Sequence, residues 1–384
     1  MNRTDRPPAS LTHSPTGCIE FGNGAIDQLP AAIHRTRAEH AFIVTDPGVR
    51  SAGILARVTD VLDRAGIGHD VYAEVPANPS TTAVVAAAVQ ARYLTNAAVV
   101  ALGGGSAMDA AKCVALLATN GVHPRALEAD IAPEHDGLPV IAVPTTAGTG
   151  AETNSFAVIE APDPPRKVYI GHTSVQPRVC VLDPELTLTL SAAVTAATGM
   201  DALVHCVESL ASRSATPFSQ RHALHAVSLI LRWLPAAVEN GHNLRARSNM
   251  LIGAHLAGLA LSSSGLGLIH GIAHAVTPRV GAPHGQALSS VLPAVMDWCA
   301  PHADTAYRRL AHAMGLRSTT SQAAIDACRE LADLVGARHP LSSYGVTSTM
   351  VADLAWTAMN DPVSANSPRT PTIAETASLI SACL

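Results

Sequence analysis

Charged side chains are scarce in this sequence, and positive charge is nowhere concentrated. Asp, Glu, Lys and Arg make up 14% of the 384 residues, and the formal net charge is -5 at pH 7. A protein that binds nucleic acid needs a patch or stripe of Lys and Arg, and the sequence contains none. We therefore expect a small-molecule substrate and no nucleic-acid partner.

Long apolar segments and paired cysteines are also missing. No run approaches the ~18 consecutive apolar residues that a membrane-spanning helix requires, and residues 1–16 lack the apolar core of a secretory signal. The seven cysteines are widely spaced, with no CxxC pair, which is typical of reduced thiols. These absences predict a cytoplasmic protein without a membrane partner.

Apolar residues, by contrast, make up 48% of the chain. Such a content favours a folded globular protein over a disordered one. The chain is longer than one core usually covers, because a domain commonly holds ~150 residues. We expect a flexible tail over residues 1–15, one domain over residues 16–188 and a second over residues 189–384.

The two predicted domains differ in the spacing of their apolar residues. In the first, short apolar runs such as AFIVT (41–45) and NAAVVAL (96–102) alternate with helical stretches, which is typical of a parallel sheet covered by helices. From about Leu188 the chain has long Ala- and Leu-rich segments with helical spacing and no further clear strand. The predicted fold is an α/β domain followed by an all-α domain.

Three consecutive glycines, in ALGGGSAMDAAK, join a predicted strand to a predicted helix. Glycine lets a ligand approach the backbone N–H groups without a Cβ in the way. Ser106 fits the N-cap and Asp109 completes a variant capping box, so the first N–H groups of the helix would face an anion such as a pyrophosphate. The same residues also suit an ordinary strand-to-helix turn.

A second loop, PTTAGTGAETN (144–154), also follows a predicted strand and is rich in hydroxyl groups and glycines. Open α/β sheets bind their ligands at the carboxyl ends of the strands, where both loops are expected. Together the loops predict a dinucleotide site, although neither matches GxGxxG. The alternative for the second loop is a surface connection without a ligand.

Aspartate and histidine recur at helical spacing in the second half. Asp201 and His205 lie four residues apart, and so do His270 and His274, so each pair shares one helix face. His284 stands at the expected start of another helix. One carboxylate and several imidazoles suit a divalent metal such as Fe(II) or Zn(II), although a lone histidine on an Ala-rich helix is usually packed or solvated.

Four motifs in this order, GGGSAMDAAK, PTTAGTGAE, GMDALVHCVES and GLGLIHGIAHAVTPRVGAPHG, resemble the iron-containing (group III) alcohol dehydrogenase family. The resemblance extends from about Thr16 to the last residue and includes ANP at 77–79 and the closing DPVSANSPR. It implies a dehydroquinate synthase-like architecture, in which a Rossmann-like NAD-binding domain precedes a helical metal-binding domain. It also implies a homodimer.

The same resemblance implies a set of site residues. It makes Asp201, His205, His270 and His284 the metal ligands, with Fe(II) favoured over Zn(II), and leaves His274 outside the ligand set. The cofactor residues that follow from the family and the glycine loop are Asp46, Asn78, Gly104, Gly105, Ser106, Asp109, Thr145, Thr146, Thr149 and Lys167. A carboxylate at Asp46 would repel a 2'-phosphate, so NAD(H) is favoured over NADP(H).

The expected activity is that of an NAD(P)-linked alcohol dehydrogenase or aldehyde reductase. A metal with one carboxylate and three imidazole ligands keeps room for a substrate oxygen and polarises a carbonyl, while hydride passes to or from the nicotinamide. His274 is the candidate proton relay, and packing or a hydrogen bond to the cofactor ribose is its alternative role.

Phe156 and Arg279 are further candidates for substrate contacts. Arg279 would favour a small anionic aldehyde that carries a phosphonate or carboxylate group, such as phosphonoacetaldehyde. The alternative is that it is an exposed loop residue.

Two other functions fit part of the pattern. A sugar-phosphate cyclase resembling dehydroquinate synthase also combines NAD with a metal, but it needs several Lys and Arg residues for the substrate phosphate, and the metal region here has few. A non-catalytic metal- or nucleotide-binding protein would retain the scaffold alone. The presence of all the proposed ligands and both loops favours the enzyme.

Overall fold

The computed structural model describes residues 17–121, 123–127, 132–162 and 165–384. The tail expected over residues 1–15 lies outside the described residues. The chain divides into two compact units. The first holds the described chain up to Leu190 together with Gly241–Leu251, and the second holds Ser191–Asn240 and Ile252–Leu384.

Parallel strands form the centre of the first unit. The described strands of this unit, parallel and antiparallel together, are β1 (Cys18–Phe21), β2 (His40–Val44), β3 (Gly68–Tyr72), β4 (Ala97–Gly103), β5 (Val140–Pro144), β6 (Phe156–Pro162), β7 (Pro165–Gly171) and β8 (Val179–Leu182). Six of them form one parallel sheet in the order β1-β8-β5-β4-β2-β3. Every residue of β4 and β5 is buried, as continuous apolar runs require when both faces of a parallel sheet are covered.

Helices and a hairpin accompany this sheet. The helices are α1 (Leu29–Arg35), α2 (Pro47–Ser51), α3 (Ile54–Arg64), α4 (Thr81–Ala91) and α5 (Gly105–Asn120). Strands β6 and β7 pair with each other as an antiparallel ribbon separate from the parallel sheet. The predicted α/β class of this half is confirmed, and the hairpin is an addition to it.

The second half is helical, as predicted, and residues 191–384, all of them described, contain no strand. Its helices are α6 (Ala192–Ala211), α7 (Pro217–Glu239), α8 (Leu244–Ser264), α9 (Leu268–Val280), α10 (His284–Ala313), α11 (Ser321–Leu334), α12 (Val351–Asn360) and α13 (Ile373–Ala382). No single described helix is both long and apolar enough to cross a membrane; α8 and α9 meet that test only as a pair bent by 105°.

Helix α6 lies in the interior of the second unit. Ser191 begins it as the N-cap, with its side chain accepting a hydrogen bond from the Val194 N–H. Every residue from Gly199 to Leu210 is buried, so the helix is covered on all sides over three turns. Polar side chains on this stretch are therefore held in the core, where they need partners or a ligand.

Candidate functional site

The register of the sheet places three loops at one edge of the first unit. Gly103 at the end of β4 pairs with Pro144 at the end of β5, and the Thr145 N–H donates to the Gly103 carbonyl at 3.0 Å. The neighbouring strand β2 ends at Val44, just before Asp46. Because parallel strands end at the same edge, the glycine turn, the second loop and Asp46 lie together.

Glycines at the start of α5 make room for the second loop. A Cβ on Gly105 would lie 2.8 Å from Thr149 Cγ2, and one on Gly104 would lie 3.2 Å from Thr146 Cγ2. Both threonines therefore lie directly against the first turn of α5, and only the absence of a side chain keeps this space open. Such a cradle of backbone N–H groups and hydroxyls suits a pyrophosphate.

The predicted cap of α5 is wrong. The N-cap is Gly104 instead of Ser106, α5 begins at Gly105, and no described side chain caps it. Asp109 closes no capping box, because its Oδ2 accepts a hydrogen bond from the Val158 N–H at 3.0 Å. Gly103 makes the turn before the helix with a φ of 148°, which favours glycine, and the helix starts two positions earlier than predicted. The positive end of its dipole remains available to an anion.

Asn78 and Lys167 connect to this turn. The Asn78 N–H donates to Ser106 Oγ at 3.2 Å, and Lys167 Nζ donates to Asn78 Oδ1 at 3.2 Å. Asn78 has a φ of 51°, in the left-handed region that asparagine tolerates better than most residues. Asp46 caps α2, where its Oδ1 accepts from the Val49 N–H at 3.0 Å. The predicted cofactor residues thus lie along one edge of the first unit.

Lys112 is a buried cation that is absent from the predicted set. Its side chain is 1% exposed, and its Nζ donates to Asn154 Oδ1 at 2.8 Å and to the Phe156 carbonyl at 2.7 Å. Burial lowers the pKa of Lys112, and the carboxylates of Asp109 and Glu152 oppose that shift. Lys112 therefore fastens the second loop to α5. Phe156, the predicted substrate contact, is half-buried and meets Lys112 through its backbone.

Three potential ligand atoms converge in the second unit. Asp201 on α6, His270 on α9 and His284 at the first position of α10 each offer one atom, and these atoms lie within 4.8 Å of one another. Asp201 Oδ1 and His270 Nε2 are 3.5 Å apart, and both are buried without a hydrogen-bond partner among the described residues. Buried polar atoms without partners are costly, so this donor set fits a divalent metal.

His205 adjoins this group from the next turn of α6. Its Nε2 is 3.1 Å from Asp201 Oδ1, and its ring is stacked on that of His270 with the centroids 4.9 Å apart. Among the described residues, His205 is not one of the three whose ligand atoms all fall within 4.8 Å of one another. The predicted pairing of Asp201 and His205 on one helix face agrees with the geometry of α6.

Mutual charge interactions set the pKa values of Asp201 and His270. Burial alone would raise the pKa of Asp201, but His205, His270 and His284 hold that pKa well below its usual range. Burial disfavours the charged form of His270 as well, yet Glu208 and Asp201 raise the pKa of His270 to about 9. A metal that binds here must therefore displace a proton.

His274 lies on the same face of α9 but has a different partner. Its Nδ1 is 2.8 Å from Asp361 Oδ2, and its ring is stacked on that of His284 with the centroids 5.5 Å apart. The ring meets that of His270 edge-on at 5.8 Å. The structure thus brings the three predicted histidines of this region together and gives His274 a carboxylate outside the converging set.

Arg279 lies in a helix, and its assignment to a loop is wrong. It occupies the last turn of α9, which continues to Val280 and ends where Gly281 adopts the left-handed conformation with a φ of 69°. The side chain of Arg279 is 53% exposed, and its Nη2 is 3.2 Å from Asp353 Oδ2. No contact with the converging residues is described for it.

Known proteins match nearly the whole chain. Residues 16–184 match the family described as iron-containing alcohol dehydrogenase, and residues 195–384 match the C-terminal part of the Fe-containing alcohol dehydrogenase family. The probable alcohol dehydrogenase EutG of Salmonella typhimurium is 37% identical over 361 residues, which are 94% of this chain and 91% of that protein.

Two further similarities extend over both units. The NAD-dependent methanol dehydrogenase of Bacillus methanolicus is 32% identical over 383 residues, covering 97% of this chain and 97% of that protein. The structure of an alcohol dehydrogenase from Oenococcus oeni superposes with a TM-score of 0.93 at 29% identity, covering 98% of this chain and all of that one. The sequence matches and the structural superposition therefore both point to the same family over nearly the whole chain.

Proposed function

Because this chain belongs to the iron-containing alcohol dehydrogenase family, and is thus an alcohol or aldehyde oxidoreductase, we propose that it transfers hydride between NAD(H) and a small alcohol or aldehyde. One observation carries this proposal. The ligand atoms of Asp201, His270 and His284 lie within 4.8 Å of one another, with Asp201 and His270 buried and His284 partly exposed, so that a substrate oxygen could be bound beside a metal.

The metal centre is proposed to consist of Asp201, His205, His270 and His284. One carboxylate and imidazole nitrogens suit Fe(II) or Zn(II), and the family favours Fe(II). A bound divalent metal supplies Lewis-acid polarisation of a substrate oxygen. The part played by the protein is to hold its ligands on α6, α9 and α10, with Asp201 and His270 shielded from water by burial.

The first unit supplies the proposed dinucleotide site. The N-terminus of α5 offers backbone N–H groups to the pyrophosphate, and the hydroxyls of Thr146 and Thr149 lie against the same turn. Asp46 follows β2 at the same edge, where a carboxylate can accept hydrogen bonds from ribose hydroxyls. When bound, NADH would supply the hydride for aldehyde reduction and NAD would accept it in alcohol oxidation.

His274 is proposed as the residue that transfers the proton. Its Nδ1 faces the carboxylate of Asp361 at 2.8 Å, which holds the imidazole in one orientation. Its ring lies against that of His284, so a proton on the substrate oxygen would have only a short distance to travel. The nicotinamide would then transfer the hydride, and His274 would transfer the proton.

Enzyme loaded with Fe(II) is expected to oxidise NADH when a small neutral aldehyde is added, and to reduce NAD when the corresponding alcohol is added. The measurement is the change in NADH absorbance across a panel of alcohols and aldehydes, with NADP(H), with Zn(II)-loaded protein and with one phosphonate-bearing aldehyde. Metal-free protein is the control. Binding of NADH without turnover of any alcohol or aldehyde would contradict the proposal and favour a non-catalytic role.

An Asp46→Asn variant is expected to lose preference for NAD(H) over NADP(H). Asparagine still caps α2 through its side-chain oxygen but no longer repels a 2'-phosphate. We expect the ratio of kcat/KM for NADH to that for NADPH to fall by ~10-fold, which corresponds to about 1.4 kcal/mol. An unchanged ratio in both Asp46→Asn and Asp46→Ser would remove Asp46 from the cofactor site.

A further inference from the structure

Glu208 is a buried carboxylate on α6, and its hydrogen-bond partners among the described residues lie at the start of α9. It is 7% exposed. Its Oε2 accepts hydrogen bonds from the Gly267 N–H at 2.9 Å and from His270 Nδ1 at 2.6 Å. Its Oε1 accepts from the N–H groups of Ile269 at 2.7 Å and of His270 at 3.4 Å. One side chain therefore both caps a helix and holds a histidine ring.

The contact with the ring fixes which nitrogen of His270 carries the proton. An ionised carboxylate only accepts hydrogen bonds, so when His270 is neutral its single ring proton must lie on Nδ1. The lone pair then lies on Nε2, which is 3.5 Å from Asp201 Oδ1 and belongs to the converging set of ligand atoms. A metal that displaces the second ring proton would therefore meet the lone pair of Nε2, while the Nδ1 proton stays with Glu208.

We propose that Glu208 is a positioning residue of the metal centre, because it makes His270 Nε2 a metal ligand by holding the proton on Nδ1. This inference rests on the proposed metal site. A carboxylate that accepts the other ring N–H of a ligating histidine orients the ring and raises its basicity, and replacing such a partner typically lowers metal affinity by ~10–100-fold. We expect an effect of that size here.

Ser367 provides a matched control, because it also accepts a backbone N–H at the start of α9. Its Oγ accepts the Leu268 N–H at 2.8 Å, so it also caps α9, and its side chain is buried like that of Glu208. None of the hydrogen bonds described for Ser367 involves the His270 ring. Loss of Ser367 therefore tests what helix capping alone contributes, without a change in the ring proton.

The decisive variant is Glu208→Gln. With its amide oxygen in the place of Oε1 it still accepts the Ile269 and His270 N–H groups, and this orientation is preferred because the reverse would place the NH₂ group against both of them. The Gly267 N–H then loses its acceptor. The NH₂ group then faces His270 Nδ1 and moves the ring proton to Nε2. We expect the Kd for Fe(II) and for Zn(II), measured by chelator competition, to rise by ~10–100-fold. The Tm of the metal-free protein should fall about as far as in Ser367→Ala, because each variant removes the acceptor of one backbone N–H at the start of α9.

Comparison of Glu208→Gln with Ser367→Ala separates an effect on the His270 ring from an effect on helix capping and stability. Ser367→Ala is expected to lower the Tm of the metal-free protein and to leave the metal Kd within about twofold of the parent. An unchanged Kd in Glu208→Gln, or equal losses of affinity in both variants, would overturn the inference.

Should Glu208→Gln not fold, Glu208→Asp is the second variant. It keeps the charge but withdraws it from His270 Nδ1, so it must also weaken metal binding. If the parent itself binds neither metal, the proposed metal site fails and this inference fails with it.

Discussion

An Asp201→Asn variant should purify without a stoichiometric metal and should lose at least ~10²–10³-fold in kcat/KM for aldehyde reduction. Asp201 supplies the anionic oxygen of the cluster. Its Oδ1 is 3.1 Å from His205 Nε2 and 3.5 Å from His270 Nε2, so it lies next to a histidine of its own helix α6 and to one of α9. Asparagine retains the volume of the side chain but not the charge that a divalent cation needs.

The measurement is elemental analysis of protein purified without oxygen, together with aldehyde-dependent oxidation of NADH in the same sample. His222→Ala is the matched control, because His222 lies on α7 and its Nδ1 is 2.8 Å from the Phe218 carbonyl in an ordinary helical contact. That variant should keep its metal. NADH affinity should be unaffected in both variants, since the proposed cofactor residues belong to the other unit. Full metal content in Asp201→Asn would refute the proposed ligand set.

The spacing of the Asp and His residues predicts which of them share a helix face, whereas the choice of metal ligands, with His284 included and His274 left out, follows from the resemblance to the family. Asp201 with His205, and His270 with His274, repeat at four residues, and that spacing alone places both members of a pair on one helix face. The role of Glu208 could not be predicted in this way. It depends on the packing of α6 against the start of α9, across a separation of 62 residues for the contact with His270.

Local sequence patterns also gave wrong or weak predictions where backbone conformation or long-range packing decided the structure. Ser106 has a good residue type for an N-cap, but α5 begins two positions earlier, directly after the turn made by Gly103. Strand β1 has only four residues, three of them exposed, so it gives a weak apolar signal. The burial of Lys112 depends on Asn154 and Phe156, which are brought to it by the path of the second loop.

His274→Ala should keep its metal and lose turnover, whereas Asp201→Asn should lose both. We expect metal content near that of the parent, because His274 pairs with Asp361 and lies outside the converging ligand atoms. If His274 carries the proton, kcat should fall by ~10²–10⁴-fold, the usual contribution of a positioned general acid or base. Metal content and kcat must be measured on the same preparation.

Asp361→Asn helps to identify which role His274 has. Asparagine can still cap the 3₁₀ helix Pro362–Asn366 through the Val363 N–H, but it no longer offers His274 Nδ1 a carboxylate. We expect its kcat to fall less than that of His274→Ala, since the imidazole remains. A raised KM for NADH with unchanged kcat in His274→Ala would instead assign His274 to the cofactor ribose. A His274→Ala protein that purifies without metal would place His274 among the ligands, contrary to the proposed division.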